Sequence, residues 1–144
     1  MRSISIVAAL ALAATLTACG ADPDDSIRAE ASSTPAAPQP PSDVTFAANG
    51  ETAKVVAIDN NFLPQTIEVT AGTEVKFVNN GRNPHNVVPA DDATATEWGV
   101  LEAQFQPKDT YSRVFDRPGT YVYYCTIHGT PTAAMFGTIT VTEP

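Results

Sequence analysis

The chain has 144 residues, with 16 acidic against 8 basic side chains and a formal net charge of −8. That length holds one domain of ordinary size. The acidic balance argues against nucleic acid as a partner and reads first as a solubility feature.

The first element in chain order is a leader. Residues 1–18 begin with a lone Arg2, continue through an apolar run from Ile4 to Leu16 and close on small residues, the build of a secretory signal peptide that is too short to span a bilayer as a helix. Its ending, Leu16-Thr17-Ala18-Cys19, resembles the bacterial lipobox. The resemblance implies that Cys19 becomes a lipid-modified mature N-terminus, with simple secretion and cleavage nearby as the plainer alternative. Residues 19–42 then carry Pro, Ala, Ser and acids with hardly any large apolar side chain, so the expectation is a disordered, lipid-anchored tether. As a flexible coil it spans roughly 25–30 Å.

From 43 to 144 the pattern turns to short β-prone runs. "TIEVT" (66–70) sets Ile67 and Val69 on one face, "EVKFVN" (74–79) does the same with Val75 and Phe77, and "TITVT" (138–142) with Ile139 and Val141. "AKVVAID", "TYSRVF" and "TYVYYC" are further candidates, and "VTFAA" (44–48) a weaker one. Ala71-Gly72, Asn80-Gly81 and Pro118-Gly119 punctuate these runs at hairpin-like intervals. No stretch carries helical periodicity, and the least regular region, 89–106, contains Trp98. The expected fold is all-β, a sandwich or barrel of about seven or eight strands.

Cysteine counting sharpens the reading. If Cys19 carries lipid, Cys125 has no disulfide partner, because the chain has only two cysteines. A Cys19–Cys125 disulfide is the formal alternative, and it would tie a leader residue to a domain strand. An unpaired thiol in an exported chain invites a metal or redox explanation. Cys125, His128 and Met135 fall within eleven positions in "CTIHGTPTAAM", and the other histidine, His85, sits in "GRNPHNVV". Each has a bland reading alone, as core filler or polar turn residue. Together they form a soft and imidazole donor set of the kind that holds copper. Zinc competes for such donors, yet structural zinc sites ordinarily use two or more cysteines.

"FLPQTIEVTAGTEVKFVNNGRNPHNVV", "FDRPGTYVYYCTIHG" and "MFGTITV" resemble the cupredoxin family, blue copper proteins of the plastocyanin, amicyanin and pseudoazurin type. The resemblance implies a Greek-key sandwich over 43–144 and one Cu(I)/Cu(II) ion held by His85, Cys125, His128 and Met135, with the methionine as the weak axial donor. It further implies that the backbone N–H of Asn86 supports the thiolate while its side chain ties the two ligand segments together. One departure bears on the axial position: the six residues between His128 and Met135 are more than those relatives carry there.

The donor inventory limits function as well. Binuclear copper centres need a second cysteine, and multicopper oxidases and copper nitrite reductases need further histidines, so an enzyme is not expected. The reading is a monomeric type 1 copper electron carrier, tethered outside the cytoplasm and serving redox partners of the cell envelope. A copper-buffering or copper-delivery lipoprotein would use the same donors. A metal-free sandwich that shares only the fold is the third class.

Overall fold

The computed structural model describes residues 38–92 and 94–144. The signal segment 1–18, Cys19 and the tether up to residue 37 lie outside the described residues. Eight strands follow in chain order: β1 (Thr52–Ile58), β2 (Asn61–Leu63), β3 (Thr66–Thr70), β4 (Thr73–Asn79), β5 (Val88–Pro89), β6 (Thr110–Phe115), β7 (Gly119–Thr130) and β8 (Ala133–Thr142). They form two four-stranded sheets, ordered β2-β1-β4-β6 and β3-β8-β7-β5. Each sheet mixes directions: β1 runs parallel to β4 and β3 parallel to β8, while the remaining pairs are antiparallel. Among the described residues the helical structure is a single 3-10 turn, Glu102–Gln104.

The alternating runs fold as their pattern requires. Val75 and Phe77 of β4, and Ile139 of β8, are fully buried, and Val69 and Val141 nearly so, because a period of two sends every second side chain to the face the two sheets share. Trp98, from the irregular segment, is buried too, with its ring 5.0 Å from Phe115 and 6.2 Å from Tyr123. Edge-to-face packing of this kind adds about 0.5–1.5 kcal/mol per pair beyond area burial. The segment without ladders is therefore pinned by the ring of Trp98, and Phe105 from the same segment is fully buried as well.

Several expectations change. The run "VTFAA" forms no strand: Phe46 donates one backbone hydrogen bond to Asp116 and packs against the core, but no ladder develops. The three Gly-containing punctuations do not close hairpins. Ala71 N–H bonds the Thr142 carbonyl on one sheet and Gly72 N–H the Phe115 carbonyl on the other, so this pair carries the chain across the sandwich. Pro118-Gly119 makes the return crossing from β6 to β7, and Asn80-Gly81 opens the segment that bears His85. Hairpins instead form at Asp59-Asn60, where Asp59 has a φ of 49°, and at Pro131-Thr132.

The chain before Asp43 also touches the sandwich. Thr120 N–H donates to the Gln39 carbonyl at 2.8 Å, and Ser42 N–H to the Pro118 carbonyl at 2.7 Å. A Cβ on Gly119, whose φ is 150°, would lie 2.6 Å from the Pro41 Cα. Glycine permits this approach.

Candidate metal centre

The site is assembled from two segments. Cys125 lies on β7, where Tyr121, Tyr123 and Cys125 alternate into the core and are 6 %, 0 % and 0 % exposed. Strand periodicity alone would send a side chain three positions on to the opposite face. The β7–β8 register shifts between Tyr124 and Gly129, and this bulge turns His128 back toward the cysteine. His85 arrives from the segment joining β4 to β5 and is fully buried.

The donor atoms form a small triangle. Nδ1 of His85 and Nδ1 of His128 are 3.1 Å apart, and Cys125 Sγ lies 3.8 Å from the first and 3.5 Å from the second. A point equidistant from all three lies about 2.0 Å from each, the length of a metal–imidazole bond. Among the described residues this is the group of His, Cys and acidic side chains able to hold a metal ion. Cys125 is a free thiol. Burial holds the His85 pKa below its ordinary value of 6.5, and His128 pushes it the same way against a smaller opposing pull from Asp59. A neutral imidazole is the form a metal requires. Nδ1 of His85 faces the thiol, while Nε2 is buried with no hydrogen-bond partner among the described residues; a metal bound at Nδ1 would place the ring proton on Nε2. The donor set fits a copper ion in softness, number and spacing.

Met135 is fully buried on β8. The six residues before it do not form an open loop. Gly129 pairs with Ala134 and Thr130 with Ala133, so β7 and β8 continue past the site and close over Pro131-Thr132 as a hairpin tip. The additional residues are thereby taken up in ladder pairs and do not loosen the approach to Met135. Ala134, with a φ of 61°, bends the chain immediately before it.

Asn86 is 7 % exposed and joins the two segments. Its Nδ2 donates to Thr126 Oγ1 at 2.7 Å, and its Oδ1 accepts the Thr126 N–H at 2.8 Å. Thr126 is a residue that sequence reasoning missed, although its place between Cys125 and His128 was the available signal. His128 is half-buried, with the exposed Ile127 beside it.

The family described as copper binding proteins, plastocyanin/azurin family, matches residues 43–142. The chain belongs to the plastocyanin/azurin family of copper-binding proteins. Copper is its cofactor. Chloroplastic plastocyanin of Physcomitrium patens is 38 % identical over 101 residues, covering 65 % of this chain and 59 % of that protein. Plastocyanin of Scenedesmus fuscus is 39 % identical over 85 residues, covering 56 % of this chain and 85 % of its own length. Among solved structures, amicyanin of Paracoccus versutus superposes with a TM-score of 0.53 at 25 % identity, covering 70 % of this chain and 93 % of that one. The all-β plastocyanin/azurin architecture thus extends to this chain, with both cupredoxin sheets present.

Proposed function

We propose that the protein is a type 1 copper electron carrier in which His85, Cys125 and His128 are the equatorial ligands and Met135 the axial one. The observation that carries this reading is the triangle of two imidazoles and one thiol, preassembled at metal-binding spacing. Bound copper would supply a one-electron couple between Cu(I) and Cu(II). The protein's part is to keep the donors from rearranging between the two oxidation states. The bulge in β7 and the Asn86–Thr126 pair hold them in that way, and scaffold rigidity of this kind is what limits reorganisation. Electrons would pass at the half-buried His128, since His85 is enclosed. The exposed apolar side chain of Ile127, next to His128 and 47 % exposed, suits brief contacts with envelope redox partners. The chain would act as a monomer and not as an enzyme.

Rapid electron self-exchange with slow loss of Cu(I) is the expected behaviour. NMR line broadening in mixtures of the oxidised and reduced protein measures the first, and transfer of Cu(I) to a chelator the second. Slow exchange with ready surrender of Cu(I) would instead make this a copper-delivery protein.

The lipobox-like ending at Cys19 supports attachment to the membrane, with residues 19–42 as tether and the domain of 43–144 outside the cytoplasm. Stable anchoring takes more than one acyl chain, which a diacylglycerol-modified cysteine would carry. Intact mass of the mature protein is expected to show the lipid, and Cys19→Ala to remove it. A normally processed wild-type chain without lipid would refute the anchor.

A further inference from the structure

We propose that Asn79, the last residue of β4, is a positioning residue for His85, acting on both its backbone and its ring through one buried amide. The proposal builds on the assignment of His85 as a copper ligand. Asn79 is 0 % exposed, and its side chain makes three hydrogen bonds. Nδ2 donates to the Phe105 carbonyl at 2.9 Å and to the Asn83 carbonyl at 3.0 Å, while Oδ1 accepts the Gly81 N–H at 3.1 Å.

These partners surround the route to His85. Gly81 and Asn83 lie on the segment that leads to it, which has no ladder of its own between β4 and β5. Phe105 stands across from that segment, and its carbonyl also accepts the His85 N–H at 3.3 Å. One carbonyl oxygen is therefore shared by the Asn79 amide and the His85 backbone. The ring is reached separately. A Cβ on Gly81 would lie 3.3 Å from His85 Nε2 and 3.4 Å from Asn79 Oδ1, so the backbone of Gly81 is packed between the amide and the imidazole. The Asn79 side chain thus meets the incoming segment at two points and the opposite wall at a third. An amide is suited to this because it offers donors and an acceptor together; aspartate keeps the shape but can only accept when ionised.

Three variants of the full chain test the inference: Asn79→Asp, Asn79→Ser, and Val141→Ala as a control for lost core packing. Val141 is 3 % exposed and pairs with Gly119, at the start of β7. In the copper-free protein, amide hydrogen exchange at Gly81 and His85 is expected to quicken by about tenfold or more in Asn79→Asp relative to Val141→Ala at matched stability. In the Cu(II)-loaded protein, Asn79→Asp should alter the electron paramagnetic resonance hyperfine pattern and release copper about tenfold faster, the range seen when residues supporting a ligand are changed. Val141→Ala should do neither. If Asn79→Asp does not fold, Asn79→Ser, which is too short to keep all three bonds, carries the test, with faster exchange at Gly81 and His85, an altered spectrum and faster copper release expected. Exchange, spectrum and release that follow thermal stability alone, as in the control, would overturn the proposal. A wild-type protein without a thiolate–Cu(II) spectrum would overturn the ligand assignment beneath it, an outcome separate from any change in the copper-free exchange rates.

Discussion

Cys125→Ser is expected to abolish the intense visible absorption of the Cu(II)-loaded protein. That absorption requires electron density moving from a thiolate to Cu(II), and Cys125 is the only thiol among the described residues. Serine nearly matches the shape of cysteine, so the buried site should still close. A hydroxyl oxygen, however, is a hard donor that does not ionise readily and does not favour Cu(I) as sulfur does. The variant should therefore bind Cu(II) weakly and without strong colour, and hold Cu(I) poorly. Absorption spectra of the two proteins loaded with one equivalent of Cu(II) measure this. An unchanged band in the variant would remove Cys125 from the coordination shell and with it the electron-carrier reading.

The second large effect is a crossing of two phenotypes. His85→Ala is expected to weaken Cu(II) binding by more than ~100-fold, because loss of a ligand should exceed the 10–100-fold cost of losing a residue that only supports one. Met135→Ala should weaken it by less than about tenfold, since a long axial thioether contributes little to affinity. Met135→Ala should instead show its main effect on stability. Met135 is fully buried among core residues, and truncating such a side chain costs about 2–5 kcal/mol, enough to lower the melting temperature of the copper-free protein by roughly 10 °C or more. Met135→Leu, which conserves volume, should retain most of that stability while still removing the sulfur. Isothermal titration with Cu(II) and thermal melts of the copper-free variants separate the two effects. Equal losses of copper affinity at His85 and Met135 would mean a different coordination shell.

Strands whose apolar residues alternate were legible before any coordinates. β3, β4 and β8 carry their register in Ile67/Val69, Val75/Phe77 and Ile139/Val141, because burying one face of each sheet leaves little freedom in phase. β2 and β5, of three and two residues, are too short to display a period and exist because β1 and β7 offer them an edge. "VTFAA" fails in the other sense: its composition suits a strand, but it has one backbone partner in Asp116 and none beyond. The chemistry-bearing residues were visible through their rarity, as two histidines and an unpaired thiol. How they come together was not visible. The bulge that turns His128 toward Cys125 depends on how β7 and β8 lose and regain register between Tyr124 and Gly129, a property of two strands jointly. The same holds for the hairpin tip, where the pairing of Thr130 with Ala133 likewise belongs to two strands jointly.

The hydrogen bonds of Gln39 and Ser42 to the start of β7 set a direction for the molecule. Six residues of strand separate Gly119 from Cys125, about 20 Å at the usual rise. The chain at Gln39 and Ser42 thus meets the sandwich at the end of β7 remote from Cys125. A body restrained at its rear pivots with its front free. Under the proposed anchor, the half-buried edge of His128 would stand at the free end of the domain.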